Sequence, residues 1–198
     1  MPLLALLILS VALLGAVDHW RMREVHRSPG MLVAAEPVQH PLDTMAPFEH
    51  LGHALQPRAR IALTARVLSG ERYWVDRGSR LMPRDLALGW SSMSDTATLG
   101  QFRIQQRGRF YFYRPLMPLS TDDMMVAARS SANMHLIPAT RAIRRAILRA
   151  RVGQLVEIEG VLVDVRGPDG WQLRTSMTRD DTGAGACEII FVEHFAVR

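Results

Sequence analysis

From Arg60 onward the chain alternates between apolar and polar faces. Ile61, Leu63, Ala65 and Val67 oppose Ala62, Thr64, Arg66 and Leu68, and Tyr73-Trp74-Val75 resume after Ser69-Gly70. A period of two predicts one long strand, kinked by a bulge at the glycine. Residues 76–100 interrupt the pattern as a loop. Within it, Pro83 at a first turn, Asp85-Leu86-Ala87-Leu88 and the stop at Gly89-Trp90 predict a short helix. Phe102–Gln106 and Phe110–Arg114 predict a hairpin turning at Gln106-Arg107-Gly108. Phe110 and Phe112 then lie on one face of their strand and Tyr111 and Tyr113 on the other. Residues 139–151 carry the clearest helical pattern. Thr140 is the cap, Ile143, Ile147 and Ala150 form the apolar stripe, and Arg141, Arg144, Arg145 and Arg149 fill the polar side. Alternation returns from Gln154 to Val165, turns at Gly167-Pro168-Asp169-Gly170, runs back over Trp171–Ser176 and closes with a strand over Glu188–Val197.

A long strand, a hairpin, a helix and two further long strands are the succession of a five-stranded Greek-key barrel whose helix plugs one end. The run Gly153-Gln154-Leu155-Val156-Glu157-Ile158-Glu159-Gly160-Val161-Leu162-Val163 resembles the fourth strand of OB-fold proteins, over roughly the last third of the chain. The expected fold is mainly β with α: an OB-like small β-barrel with one capping helix, over residues 58–198. An unrelated small α+β sheet is the alternative.

Upstream the pattern differs. Leu3–Val17 carries no charge and Asp18 closes it. Fifteen helical residues span about 22 Å against a hydrocarbon core of roughly 30 Å, and Trp20 sits where an interfacial aromatic belongs. An N-terminal transmembrane helix within residues 1–20 is the leading reading. A cleaved signal segment is the alternative, although no arginine precedes the apolar run and Gly15-Ala16 make a poor cleavage site. Arg21, Arg23 and Arg27 follow the run, which taken literally keeps the body cytoplasmic; a start that has lost a basic leader favours the periplasmic side of an inner membrane, the orientation expected here. Residues 21–57 form a tether. Prolines 29, 37, 41, 47 and 57 forbid a long helix, while Met31, Leu32, Val33, Phe48 and Leu51 suit an arm lying on the following domain.

The strings Pro29-Gly30-Met31-Leu32-Val33, Asp85-Leu86-Ala87-Leu88-Gly89-Trp90, Ser94-Asp95, Ser131-Ala132-Asn133-Met134-His135-Leu136-Ile137-Pro138 and Asp181-Thr182-Gly183-Ala184-Gly185-Ala186-Cys187-Glu188 together resemble a family of membrane-anchored bacterial proteins. The resemblance covers nearly the whole chain. It implies an envelope location and transfers no catalytic residues.

Composition narrows the chemistry. The chain has 198 residues and one cysteine, Cys187, which excludes an internal disulfide and a multi-thiolate zinc site. All 24 basic Lys/Arg positions are arginine. Residues 58–151 hold 17 arginines against 6 acidic residues, whereas 152–198 are net acidic. A basic middle with Tyr111 and Tyr113 on one strand face is what a single-strand nucleic-acid groove needs. The anchor makes that partner unlikely, and lipid headgroups or a protein partner would use the same arginines. Glycines 183 and 185 have no lysine-bearing helix after them, so a P-loop is excluded. Asp181-Thr182-Gly183-Ala184 looks like the signature of retroviral-type aspartic proteases, but Met177-Thr178-Arg179-Asp180 is not the apolar strand that precedes it there. His40, His50 and His53 lie in the arm as polar surface rather than as a metal site, and no cofactor is expected.

Two functions remain in view. A non-catalytic, membrane-tethered module would engage a protein or peptide through Trp90, Ser94, Asp95, Asn133 and His135. A cysteine-dependent hydrolase or transpeptidase would use Cys187 as nucleophile, His135 as base and Asp181 to orient the imidazole. The separation of the Cys187 sulfur from the His135 ring distinguishes them.

Overall fold

Leu55, Ala59, Ile61, Leu63, Ala65 and Val67 are buried while most of the residues between them are exposed, and this alternation builds the central strand of the protein. The computed structural model describes residues 22–178 and 186–198. In chain order the strands are β1 (Val38–Pro41), β2 (Phe48–His50), β3 (His53–Arg72), β4 (Arg84–Gly89), β5 (Phe102–Arg107), β6 (Phe110–Pro115), β7 (Ser131–Pro138), β8 (Leu155–Arg166), β9 (Gln172–Leu173) and β10 (Glu188–Val197). The helices are α1 (Thr96–Leu99), α2 (Thr121–Arg129) and α3 (Arg141–Arg149). A 3-10 turn, Ser91–Ser94, precedes α1.

The architecture is mainly β. The main sheet runs β1-β3-β4-β7-β10-β8-β9, with β2 added to β3, and β3 also pairs with β8. Its five longer strands therefore form a circuit that returns to β3, but β1, β2 and β9 stand off that circuit and the sheet is not a clean barrel. β7 and β10 pair in parallel; the other pairs are antiparallel. Inside the circuit, Leu63, Leu86, Leu88, Met134, Leu136, Ile158, Ile190 and Val192 form the main core with Ile147 from α3, Val33 from the arm and Trp90. Outside it, Ile137, Val161, Val163 and Ile189 pack with Leu55, Leu81 and Met82.

Several expectations need correction. Residues 84–89 form strand β4, not a helix. All six are buried between β3 and β7, and a strand buried on both faces loses the alternation that would reveal it. β3 begins at His53, so the expected boundary at residue 58 falls inside it. Pro57 is accommodated at an irregularity in the pairing with β8, where its missing N–H is tolerated. The β3 bulge lies between Val67 and Ser69, just before the glycine. The β5–β6 turn is Gly108-Arg109, both at positive φ (60° and 69°), as a two-residue hairpin of primed type requires. Helix α2 was not anticipated. Ser120 caps it by accepting from the Asp123 amide, and Asp122 and Asp123 occupy its first turn. Thr140 caps α3 by accepting from the Ile143 amide.

The apolar run 3–17 lies outside the described residues. Among those residues, no helix is long and apolar enough to cross a membrane.

Candidate functional site

Strand register, rather than proximity in sequence, assembles the site. Asp85 on β4 stands directly opposite His135 on β7. β10 runs parallel to β7 with Ile189 opposite His135 and Glu188 opposite Met134. Because side chains alternate, Asp85, Asn133, His135 and Ile189 face outward while Leu86, Met134 and Ile190 enter the core. Cys187, two residues before Ile189, reaches the same outer face.

The polar groups there form a chain. His135 Nδ1 lies 2.8 Å from Asp85 Oδ2, and Asp85 is fully buried. This is a close ionic contact rather than a straight hydrogen bond, and neither atom has a hydrogen-bond partner among the described residues. Cys187 is near enough to the imidazole to favour its charged form, and both line one cleft. Asn133 Nδ2 donates to the sulfur at 3.5 Å and to the Arg109 carbonyl at 2.9 Å, while Asn133 Oδ1 accepts from Gln106 Nε2 at 2.6 Å. Burial works against a charged His135. The close contacts with Asp85 and Cys187, and the charge of each, work for it, and the balance raises the imidazole to about 9.

Arg109 closes the array from the hairpin. Its guanidinium donates to Asp85 Oδ1 at 3.1 Å, to both Asp76 oxygens at 2.8 Å and to the Met82 carbonyl at 3.1 Å. It stacks 3.9 Å over the Tyr73 ring, whose hydroxyl accepts from the Arg109 amide and donates to Glu71. Burial and then the Asp85 charge push the Tyr73 phenol upward. The hairpin is thereby fixed over one side of the site. A cleft of about 520 Å³ opens beside it, lined by His135, Cys187, Ile189 and Arg109, with Phe110 and Trp171 as aromatic walls.

No protein-family model, curated protein or solved structure matches the chain. The chemistry therefore rests on the geometry itself.

Of the residues singled out from the sequence, Asn133, His135 and Cys187 come together. Asp181 lies outside the described residues, and Asp85 occupies the position beside Nδ1. Trp90 is fully buried in the core. Ser94 is also fully buried: its hydroxyl accepts from the Leu32 and Val33 amides (3.1 and 3.0 Å) and donates to the Ser91 carbonyl at 2.7 Å. Asp95 caps α1 through the Ala97 and Thr98 amides and accepts from the Gly30 amide at 2.6 Å. These backbone hydrogen bonds, Gly30 first, lower its carboxyl. These three residues bind the arm to the body and do not share the outward face of Asn133 and His135. On α3, Arg144 donates to the Arg80 carbonyl at 3.3 Å and Arg141 is exposed. Arg145 and Arg149 turn toward a different concavity. Among the described residues no three His, Cys, Asp or Glu side chains converge as a metal site.

Asp85 is the functional residue that sequence reasoning missed. Its signal was a lone acid at the head of an apolar run. Read as a strand, Arg84–Gly89 puts Asp85 on the face opposite Leu86 and Leu88; read as a helix, it does not.

Proposed function

We propose that the protein is a cysteine-dependent acyl-transfer enzyme, a hydrolase or transpeptidase, whose nucleophile is Cys187. The observation that carries this reading is the imidazole of His135 set against a buried carboxylate and beside the only sulfhydryl of the chain, at the wall of an open cleft. A protonated imidazole beside sulfur is the setting in which cysteine reacts as thiolate at neutral pH. The thiolate attacks a carbonyl carbon and forms a C–S bond. The electron pair moves to the carbonyl oxygen, and Asn133 Nδ2, which donates to the sulfur, would have to release that bond to serve the oxygen. Collapse breaks the bond to the leaving group, which takes its proton from His135. The now neutral imidazole then deprotonates water or an acceptor amine as it attacks the thioester; the C–S bond breaks, the acyl group leaves as the acid or the new amide, and the thiolate–imidazolium pair is restored. Asp85 holds the ring through Nδ1, and Arg109 holds Asp85.

The scaffold is read as an OB-like barrel. The circuit β3-β4-β7-β10-β8, the parallel β7–β10 pair and the placement of α3 between β7 and β8 support it. The apolar run 3–17 supports a body tethered at a bacterial inner membrane; the periplasmic side is part of the proposal, although Arg21, Arg23 and Arg27 by themselves favour the cytoplasmic one. The binding-module reading loses support, because the polar groups of Ser94 and Asp95 are engaged with backbone and Trp90 is core.

The test is the pH profile of iodoacetamide alkylation at Cys187, read by mass spectrometry. An ordinary thiol of pKa near 8.5 loses reactivity tenfold per pH unit below that value. The paired sulfur is expected to keep a plateau down to about pH 6, and His135→Gln is expected to abolish the plateau, cutting the pH 6 rate about 100-fold. Incubation with a panel of thioesters and peptide amides is expected to leave an acyl adduct on Cys187, absent in Cys187→Ser. An ordinary thiol profile in the native protein, unchanged by His135→Gln, sinks the proposal.

A further inference from the structure

A second concavity, of about 710 Å³, lies between the end of the β3–β4 ladder and α3, and its floor residue Arg84 points to the opposite face of β4 from Asp85. Four arginines line it, Arg72, Arg84, Arg145 and Arg149, with no carboxylate among its described lining residues. Arg72 and Arg84 stand directly opposite each other across the ladder. Arg145 and Arg149 are one turn apart on α3. Both spacings set like charges side by side, an arrangement that destabilises a strand pair or a helix unless something neutralises it.

Arg84 forms the floor. It is buried, and its Nη1 donates to the carbonyls of Ile147 and Leu148 at 3.1 and 3.0 Å. Its Nη2 and Nε press on Gly70, where a Cβ would fall 2.6 Å from Nη2, so the glycine keeps the guanidinium seated. Burial, and then the charge of Arg72, pull Arg84 down to about 10, and no nearby acid offsets them. Arg72 lies 3.8 Å over the Trp74 ring, which orients its guanidinium without neutralising it. Arg145 and Arg149 are exposed at the rim.

We propose that this concavity is a binding site for a phosphate group, with Arg84 beneath the ligand and Arg72, Arg145 and Arg149 around it. Planar guanidinium forks match phosphate oxygens in pairs, and a phosphate there turns two repulsive pairs into one neutralised cluster. The phosphate belongs to a free phosphorylated compound or to a lipid headgroup. Met22 lines the same concavity and follows the apolar run by only a few residues, so both sources are within reach.

The experiment uses the full chain in neutral detergent, titrated calorimetrically with inorganic pyrophosphate at constant ionic strength. In parallel, the full chain is incubated with vesicles of phosphatidylglycerol in phosphatidylcholine, or of phosphatidylcholine alone. Saturable pyrophosphate binding identifies a free ligand; retention on phosphatidylglycerol vesicles without pyrophosphate binding identifies the headgroup. Either is expected to weaken at least tenfold in R145Q/R149Q, whose changes lie on the exposed face of α3. The charge-matched R103Q/R141Q variant is expected to bind like the native chain. No binding in either arm, or equal weakening by the two double variants, overturns the proposal.

Discussion

The Trp90–Asp95 segment and the outer face at Asp85, Asn133, His135 and Cys187 both set polar groups beside apolar runs, the first within one short stretch and the second across three strands. They do opposite work. In the first, the Ser94 hydroxyl and the Asp95 carboxylate are taken up by backbone amides of the arm and of α1. Neither group is left over for a ligand, and the result is a seam. In the second, side chains mainly engage other side chains: Asp85 with His135 and Arg109, Asn133 with Gln106 and Cys187. The chain ends on a sulfur at a cleft. Polar groups that saturate the backbone hold a fold together; polar groups that relay to one reactive atom store chemical potential at that atom.

This contrast can be broken most forcefully at Trp90. Trp90→Ala is expected to cost about 3–5 kcal/mol of stability by opening the core, while the alkylation profile of whatever remains folded keeps its low-pH plateau. Chemical unfolding and alkylation of the same sample check it.

The next effect is on pH dependence. The folded-state value of His135, about 9, lies above the ordinary 6.5, so its contribution is fully present below pH 6.5 and is lost as pH rises through 9. Over that window the native protein is expected to lose on the order of 3 kcal/mol relative to His135→Gln. Urea midpoints at pH 6 and 9.5 measure it, and parallel slopes for both proteins would contradict it.

Asn133→Ala is expected to slow alkylation at pH 6 about tenfold, the worth of one hydrogen bond to a charged sulfur. Ser94→Ala is expected to lower stability by about 1–2 kcal/mol and leave the alkylation rate where it was, since its amide partners belong to the arm. A change in sulfur reactivity on Ser94→Ala would erase the distinction between the two regions.

Sequence made the alternating strands legible: the body of β3, all of β8 and β10, and helix α3 with its Thr140 cap. It also named three of the four members of the outward array, Asn133, His135 and Cys187. What it hid shares one cause. β4 is buried on both faces, so its pattern is an unbroken apolar run that a helix could also produce, and with that misreading Asp85 disappeared. The boundary at residue 58 failed for a related reason, because Pro57 suggests an ending where β3 has a local irregularity instead. Arg72 and Arg84 were invisible as a pair, since only the ladder register sets them opposite each other.

The parallel seam between β7 and β10 has one more implication. Its two strands are separated in the chain by α3, β8 and β9, and Asp85 comes from still farther upstream. No hairpin or other local fragment can hold the three groups, so in the proposed mechanism the sulfur is activated only once every long strand has found its neighbours. Thiol reactivity is thus a built-in reporter of complete assembly: loosening at that single seam extinguishes it while most of the backbone still gives the spectrum of a folded chain.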